Sequence, residues 1–150
     1  AEGFAYASVA DEGIFAEADA GPLLRFRRTI GAEHIAIWAD VRKKHSAHAL
    51  TADLSMADLV SGTHFAGADA IIITGAHTGS PASETDIDAA RAASPLPVMV
   101  GSGVTSESLP DLRNRADGVI VGSALKIDGH WENELDPERI RRVIEAWNAR

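Results

Sequence analysis

The sequence contains no cysteine. That excludes a disulfide scaffold, a thiolate-ligated zinc site and a cysteine nucleophile, and it fits a reducing compartment. Basic residues are also scarce: 14 Lys plus Arg stand against 22 Asp plus Glu, a formal net charge of −8. No segment gathers a basic face, so a nucleic-acid binder is disfavoured. Long hydrophobic runs are missing. The run Ala70-Ile71-Ile72-Ile73 is typical, and a membrane-spanning helix needs about 20 apolar residues. The start carries no basic stretch followed by a long apolar one, and no methionine. We therefore expect a cytoplasmic chain without membrane insertion, whose start reflects either processing or a beginning partway through a longer protein.

What is present is ordinary for a globular protein: 150 residues, 45% of them hydrophobic. A chain of this length buries about 70% of its unfolded surface and needs no covalent staples. Five short apolar runs recur, each followed by a polar, Gly-containing loop and an amphipathic stretch. They are Phe4 to Val9, Ile35 to Ala39, Ala70 to Ile73, Val98 to Val100 and Val119 to Val121. Short runs rich in Ile and Val, apolar on both faces, predict buried parallel strands rather than an antiparallel meander.

Helical spacing fills the gaps. Pro22 and Gly31 bracket Leu23, Phe26, Arg27 and Ile30. Ser55 and Asp58 are placed to cap a helix carrying Met56, Leu59, Val60 and Thr63, which Gly67 ends. Further helices are predicted from about Thr85 to Ala93 and after Thr105. The last has Asp136 as N-cap, Pro137 as first residue, Leu135 stapled onto Ile140, and a stripe of Ile140, Val143, Ile144 and Trp147. Trp38 and Trp147 read as core, and Trp131 as a cover over one end. The units share a short signature: Gly31-Ala32-Glu33, Gly67-Ala68-Asp69 and Arg115-Ala116-Asp117-Gly118 each precede a strand.

Five βα units with right-handed crossovers and internal self-similarity predict an α/β fold, part of a TIM (β/α)8 barrel. A whole barrel needs about 250 residues. Residues 1–150 are therefore expected to be a single domain, a truncated or fragmentary portion, completed by a missing N-terminal segment or by a homo-oligomer. An open sheet is the alternative. Alone, such a chain is expected to self-associate through its unpaired edges.

In parallel α/β folds ligands bind beyond the carboxyl ends of the strands. The sharpest signal lies in the last two loops, Gly101-Ser102-Gly103 and Gly122-Ser123-Ala124. Glycines let a backbone approach an anion closely, and barrels often build a phosphate site from their final two loops. The plainer alternative is that these glycines only make tight turns. The Rossmann fingerprint fails for want of its third Gly, and there is no Walker A motif. The loop after the second run holds Asp40, Lys44, His45 and His48, types that could move protons or neutralise an anionic intermediate. The alternative there is a solvated basic patch with Asp40 capping the loop. His45 and His48 lack a clear third ligand, so no metal is expected. Thr74, Gly75 and His77 follow the third run, and Asp11, Glu12 and Gly13 the first.

Several pieces, in order and spacing, resemble the BtpA/SgcQ family. They are Val9 to Gly13, Leu23 to Arg28, Ala39-Asp40-Val41 with Lys44-His45, Ala70 to Gly75 with Thr78-Gly79, Val100 to Thr105, and Ala116 to Lys126. The resemblance covers nearly the whole chain and implies the C-terminal portion of a (β/α)8 barrel, from about the fourth strand onward. One branch of that family is similar to a photosystem I biogenesis factor, and another is linked to sugar-phosphate gene clusters and nucleotide phosphatases. The expectation is thus a phosphate-binding barrel protein of this type, acting on a small phosphorylated metabolite (a sugar phosphate or nucleotide) by acid–base chemistry, as a lyase, isomerase or phosphatase-like enzyme. Asp40, Lys44 and His45 would be catalytic. Thr74, Gly75, Gly101, Ser102, Gly103, Gly122 and Ser123 would hold the phosphate, with no cofactor. The rival expectations are a non-catalytic photosystem I assembly factor and a nucleotide-binding open α/β domain.

Overall fold

The computed structural model describes residues 1–10, 15–16, 18–42, 44–77 and 79–149. The Asp11-Glu12-Gly13 loop, Lys43 and Thr78 lie outside the described residues. In chain order the elements are β1 (Ser8–Ala10), β2 (Phe15–Ala16), α1 (Ala20–Thr29), β3 (Trp38–Asp40), β4 (Ser46–Ala47), α2 (Met56–Phe65), β5 (Ala70–Ile73), α3 (Glu84–Ala93), β6 (Val98–Val100), α4 (Leu109–Arg115), β7 (Gly118–Val119) and α5 (Pro137–Asn148). Three 3-10 turns lie at Ala49–Thr51, Ser123–Leu125 and Ile127–Gly129.

Four strands form a parallel sheet in the order β3-β5-β6-β7, with Ile71 beside Val98, Ile73 beside Val100 and Met99 beside Gly118. Side chains alternate across a strand, and the two faces have different fates. Ile71, Ile73, Val98 and Val100 pack into the main core with Leu59 and Val60 of α2, Ile87 of α3 and Leu109 of α4. Val143, Ala146 and Trp147 of α5 lean on the same cluster. Ala70, Ile72 and Met99 point the other way, into a small cluster that contains no helical residue. On that second face Trp38 and Ile120 are 42% and 43% exposed. Among the described residues the sheet is thus covered by helices on one side only. A fully buried residue such as Leu59 contributes about 1.5–3 kcal/mol through apolar burial.

The helix signals act as their chemistry dictates. Ser55 accepts from the Asp58 N–H while the Asp58 carboxylate accepts from the Ser55 N–H, a complete capping box. Asp136 accepts from the N–H groups of Glu138 and Arg139 at the start of α5. Gly67 sits at φ +94, a backbone conformation that lets α2 stop and the chain turn into β5.

The Ala-Asp signature before β5 and β7 has a structural cause. Ala68 and Ala116 are buried. The Asp69 carboxylate accepts from the Ile37 N–H at 2.7 Å and pairs with Arg27 of α1 at 2.8 Å. Asp117 repeats this one strand pair further on, accepting from the Val98 N–H at 2.8 Å and pairing with Arg91 of α3 at 2.7 Å. Each aspartate therefore locks the start of the neighbouring strand to the helix that precedes that strand. Both carboxyls are held below the usual carboxylate range. For Asp69 the main cause is the Ile37 N–H, aided by Arg27; for Asp117 it is Arg91, aided by the Val98 N–H.

One expected parallel strand is corrected. Phe4 to Val9 does not join the main sheet. Its end, β1, pairs antiparallel with β2 and β4 in a separate three-stranded sheet. The backbone carbonyls of Gly3 and Phe4 are already taken by the N–H groups of Asp19 and Ala20 at the start of α1. Phe4 itself is fully buried against Ile37, Ala39 and Ala68. The parallel position beside β3 is occupied instead by Ala1, whose amino group donates to the Trp38 carbonyl and whose carbonyl accepts from the Asp40 N–H. Smaller differences follow burial. Trp38 and Trp131 are exposed rather than core or cover, and Leu135 and Ile144 are likewise exposed while Trp147 packs as expected.

Candidate functional site

Four loops leave the carboxyl ends of β3, β5, β6 and β7 on the same edge of the parallel sheet. They are tied to one another there. The His45 N–H donates to the Ala76 carbonyl at 3.1 Å, and the Thr74 hydroxyl to the Arg42 carbonyl at 3.2 Å. The loop after β6 presses on the loop after β5: a Cβ on Gly103 would lie 2.6 Å from Pro81 N and 2.8 Å from the Gly79 carbonyl oxygen. Only glycine permits that approach, and Gly103 also takes φ +61. Its neighbour Ser102 is left-handed as well, at φ +65. A non-glycine residue there costs roughly 1–2 kcal/mol. The Ser102 hydroxyl is buried and has no hydrogen-bond partner among the described residues.

These loops enclose a cleft of about 470 Å³. Both Gly-Ser turns line it, through Ser102 and Gly103 on one side and Gly122 and Ser123 on the other. Lys44 reaches it from the loop after β3, and Gly79 from the loop after β5. Two further cations, Arg139 and Arg142, enter from α5, and one carboxylate, Glu107, faces them. Glu107 is held below the usual range chiefly by the Thr105 hydroxyl, then by its own N–H and the Ser106 hydroxyl, with Arg142 adding a smaller share. It stays ionised at neutral pH, so the lining carries three cations against one anion.

Of the residues singled out from sequence, Ser102, Gly103, Gly122, Ser123 and Lys44 share this cleft. Gly101, Thr74 and Gly75 stand behind it. Gly101 is buried, with its α-carbon face against Thr74, Ile72 and Ile120, and a Cβ on Gly75 would strike the Ser80 carbonyl oxygen. Asp40 ends β3, half-buried and in register with Ile72, and does not line the cleft. His45 lies at φ +53 with its ring centroid 5.5 Å from that of His77. Among the described residues no group of three or more His, Asp or Glu side chains could hold a metal ion. Sequence reasoning missed Arg139, Arg142 and Glu107. The signal was available for the arginines: they sit three apart on the flank of the apolar stripe of α5, in its first turns.

The fold and this cleft define a mixed α/β protein with a one-sided parallel sheet and a cation-lined cleft at its carboxyl edge. The BtpA family matches residues 1–149, and the chain belongs to that family. An uncharacterized Caenorhabditis elegans protein labelled mitochondrial is 43% identical over 149 residues, covering 99% of this chain and 53% of its own length. The photosystem I biogenesis protein BtpA of Synechocystis is 41% identical over 138 residues, covering 91% of this chain and 47% of its own length. An uncharacterized protein of Thermococcus kodakarensis is 38% identical over 135 residues, covering 90% and 50%. The chain thus spans about half the length of the curated relatives it matches. Among the described residues no helix is long and apolar enough to cross a membrane.

Proposed function

We propose that residues 1–150 form one domain, the C-terminal portion of a (β/α)8 barrel, and that this portion carries the phosphate-binding half of an active site. The barrel reading is supported by the sheet. Strand order follows chain order without reversal, and helices cover one face alone. A doubly wound sheet has helices on both faces and a switch point where the order reverses. The same two features weigh against a nucleotide-binding open sheet.

The function favoured is an enzyme acting on a small phosphorylated metabolite by acid–base chemistry. The observation that carries it is the cleft: two Gly-Ser turns from adjacent strand ends converge with Lys44, Arg139 and Arg142 in a chain whose net charge is −8. In an acidic chain such a gathering of cations serves an anion. The phosphate would lie on the turns of Ser102, Gly103, Gly122 and Ser123, with Gly101, Thr74 and Gly75 shaping their support. Asp40, Lys44 and His45, all on or just beyond the β3 end, would handle protons at the reacting carbon. The substrate itself belongs to the proposal only as a class, a sugar phosphate or nucleotide.

The test is titration calorimetry with glycerol 3-phosphate. Ser102→Asp and Ser123→Asp are each expected to abolish the binding seen with the unmodified chain, because a carboxylate would then face the phosphate. Unchanged affinity in both variants would refute the assignment. A second reading, a non-catalytic assembly factor, draws on the Synechocystis relative, a photosystem I biogenesis protein. Recovery of membrane-complex subunits on the immobilised chain, with no turnover of any sugar phosphate, would favour it instead.

A further inference from the structure

We propose that the cleft takes a ligand with two anionic groups: a phosphate on the Gly-Ser turns and a second group, a carboxylate or another phosphate, on Arg139 and Arg142 of α5. The proposal rests on the phosphate reading above and narrows its substrate class.

Size is the first argument. A cleft of about 470 Å³ falls within the 300–1,000 Å³ of whole-ligand sites and far exceeds one phosphate group. Charge is the second. Arg139 and Arg142 both line the cleft from α5, and Glu107 is the one carboxylate among its lining residues. The turn glycines and N–H groups can hold a phosphate without either arginine.

The third argument is how the arginines are held. The Asp136 N–H donates to the Leu125 carbonyl at 2.8 Å, which pins the start of α5 to the turn that follows Gly122. Asp136 then caps α5, and its carboxylate lies 3.6 Å from Arg139 Nε. The Arg139 guanidinium reaches the Ile127–Gly129 turn, 3.5 Å from where a Cβ on Gly129 would stand. Arg139 is therefore oriented at its Nε edge. Arg142 makes no ion pair within 4 Å among the described residues, and its charge acts on Glu107 across the cleft lining. A guanidinium fork matches a carboxylate or phosphate through two parallel N–H bonds, which a solvated surface role would not need.

The experiment compares two probes on the full chain by calorimetry: glycerol 3-phosphate, with one anionic group, and 3-phosphoglycerate, with a phosphate and a carboxylate. The unmodified chain is expected to bind 3-phosphoglycerate about tenfold more tightly or better, as one charge-assisted fork supplies. Arg142→Gln and Arg139→Gln should erase that preference, weakening 3-phosphoglycerate about tenfold more than glycerol 3-phosphate. Arg142→Lys, which keeps the charge but not the fork, guards against a folding artefact and should retain part of the preference. Equal affinity for the two probes, or arginine variants that weaken both equally, would overturn the second-anion site and leave the phosphate reading standing. No binding of either probe by the unmodified chain would overturn both.

Discussion

Replacing Gly103 with alanine isolates the contact that builds the cleft. The perturbation has two parts. The backbone stands at φ +61, where an L side chain costs roughly 1–2 kcal/mol. The added Cβ would also lie 2.6 Å from Pro81 N, 2.7 Å from the Ser80 carbonyl carbon and 2.8 Å from the Gly79 carbonyl oxygen. All three are backbone atoms, so no rotamer change relieves the clash, and overpacking of this kind adds roughly 1–3 kcal/mol. Together Gly103→Ala should cost about 2–5 kcal/mol, which lowers Tm by roughly 5–15 °C for a chain of this size. Gly79→Ala is the control. Gly79 is also left-handed, at φ +82, but nothing lies within 4 Å of its Cβ position. It should show only the backbone share, about 1–2 kcal/mol. Urea melts of the two variants give the difference directly. Equal destabilisation would show that the loops after β5 and β6 are not in close contact, and the cleft they form would go with it.

Other consequences follow from the same packing. Asp69→Asn with Asp117→Asn should cost about 1 kcal/mol each, since both carboxylates are more than a third exposed and solvent screens them. Their folded pKa values are depressed, so their stabilisation is present above the ordinary carboxylate range and lost as pH falls through the lower folded values. Urea melts at pH 5 and pH 3 should therefore show a shallower acid loss in the double variant; an unchanged loss would contradict the strand locks. Leu59→Ala should cost about 2–5 kcal/mol by cavity formation, with a value below 1 counting against the main core. Trp38→Lys should shift the chain toward monomer in sedimentation velocity, because the exposed apolar side chains Trp38 and Ile120 on the same sheet face promote association. An unchanged distribution would mean association runs through another surface.

The elements were legible where local chemistry and tertiary demand agree. Ala70 to Ile73 reads as a buried strand because every position is apolar, and all four residues are buried. Ser55 with Asp58 announces its helix because the reciprocal cap is satisfied within four residues. Phe4 to Val9 misled for a physical reason. An apolar run says that its side chains want burial, not which partner supplies its backbone bonds. The α1 start claims the Gly3 and Phe4 carbonyls, and Phe4 buries itself against Ile37 and Ala39, so the requirement for burial is met without a ladder. Exposure of Trp38 was equally hidden, because it depends on which sheet face lacks helices.

The candidate site divides along the same line. Gly-Ser turns are legible because glycine at a strand end has few uses, and a parallel sheet dictates which edge carries ligands. The convergence of Ser102 and Ser123 on one cleft then follows from β6 and β7 being neighbours, a consequence of sequential strand order. Arg139 and Arg142 were harder because a helix reports its apolar stripe far more loudly than its flanks. What aims them is a backbone bond that no sequence pattern marks, the Asp136 N–H on the Leu125 carbonyl. That bond makes the helix orientation a property of the turn after β7, so a ligand seated on Gly122 and Ser123 would meet the α5 arginines at a fixed reach. On the two-anion proposal, an insertion that lengthens the segment between Leu125 and Asp136 should therefore weaken 3-phosphoglycerate binding in calorimetry more than glycerol 3-phosphate binding.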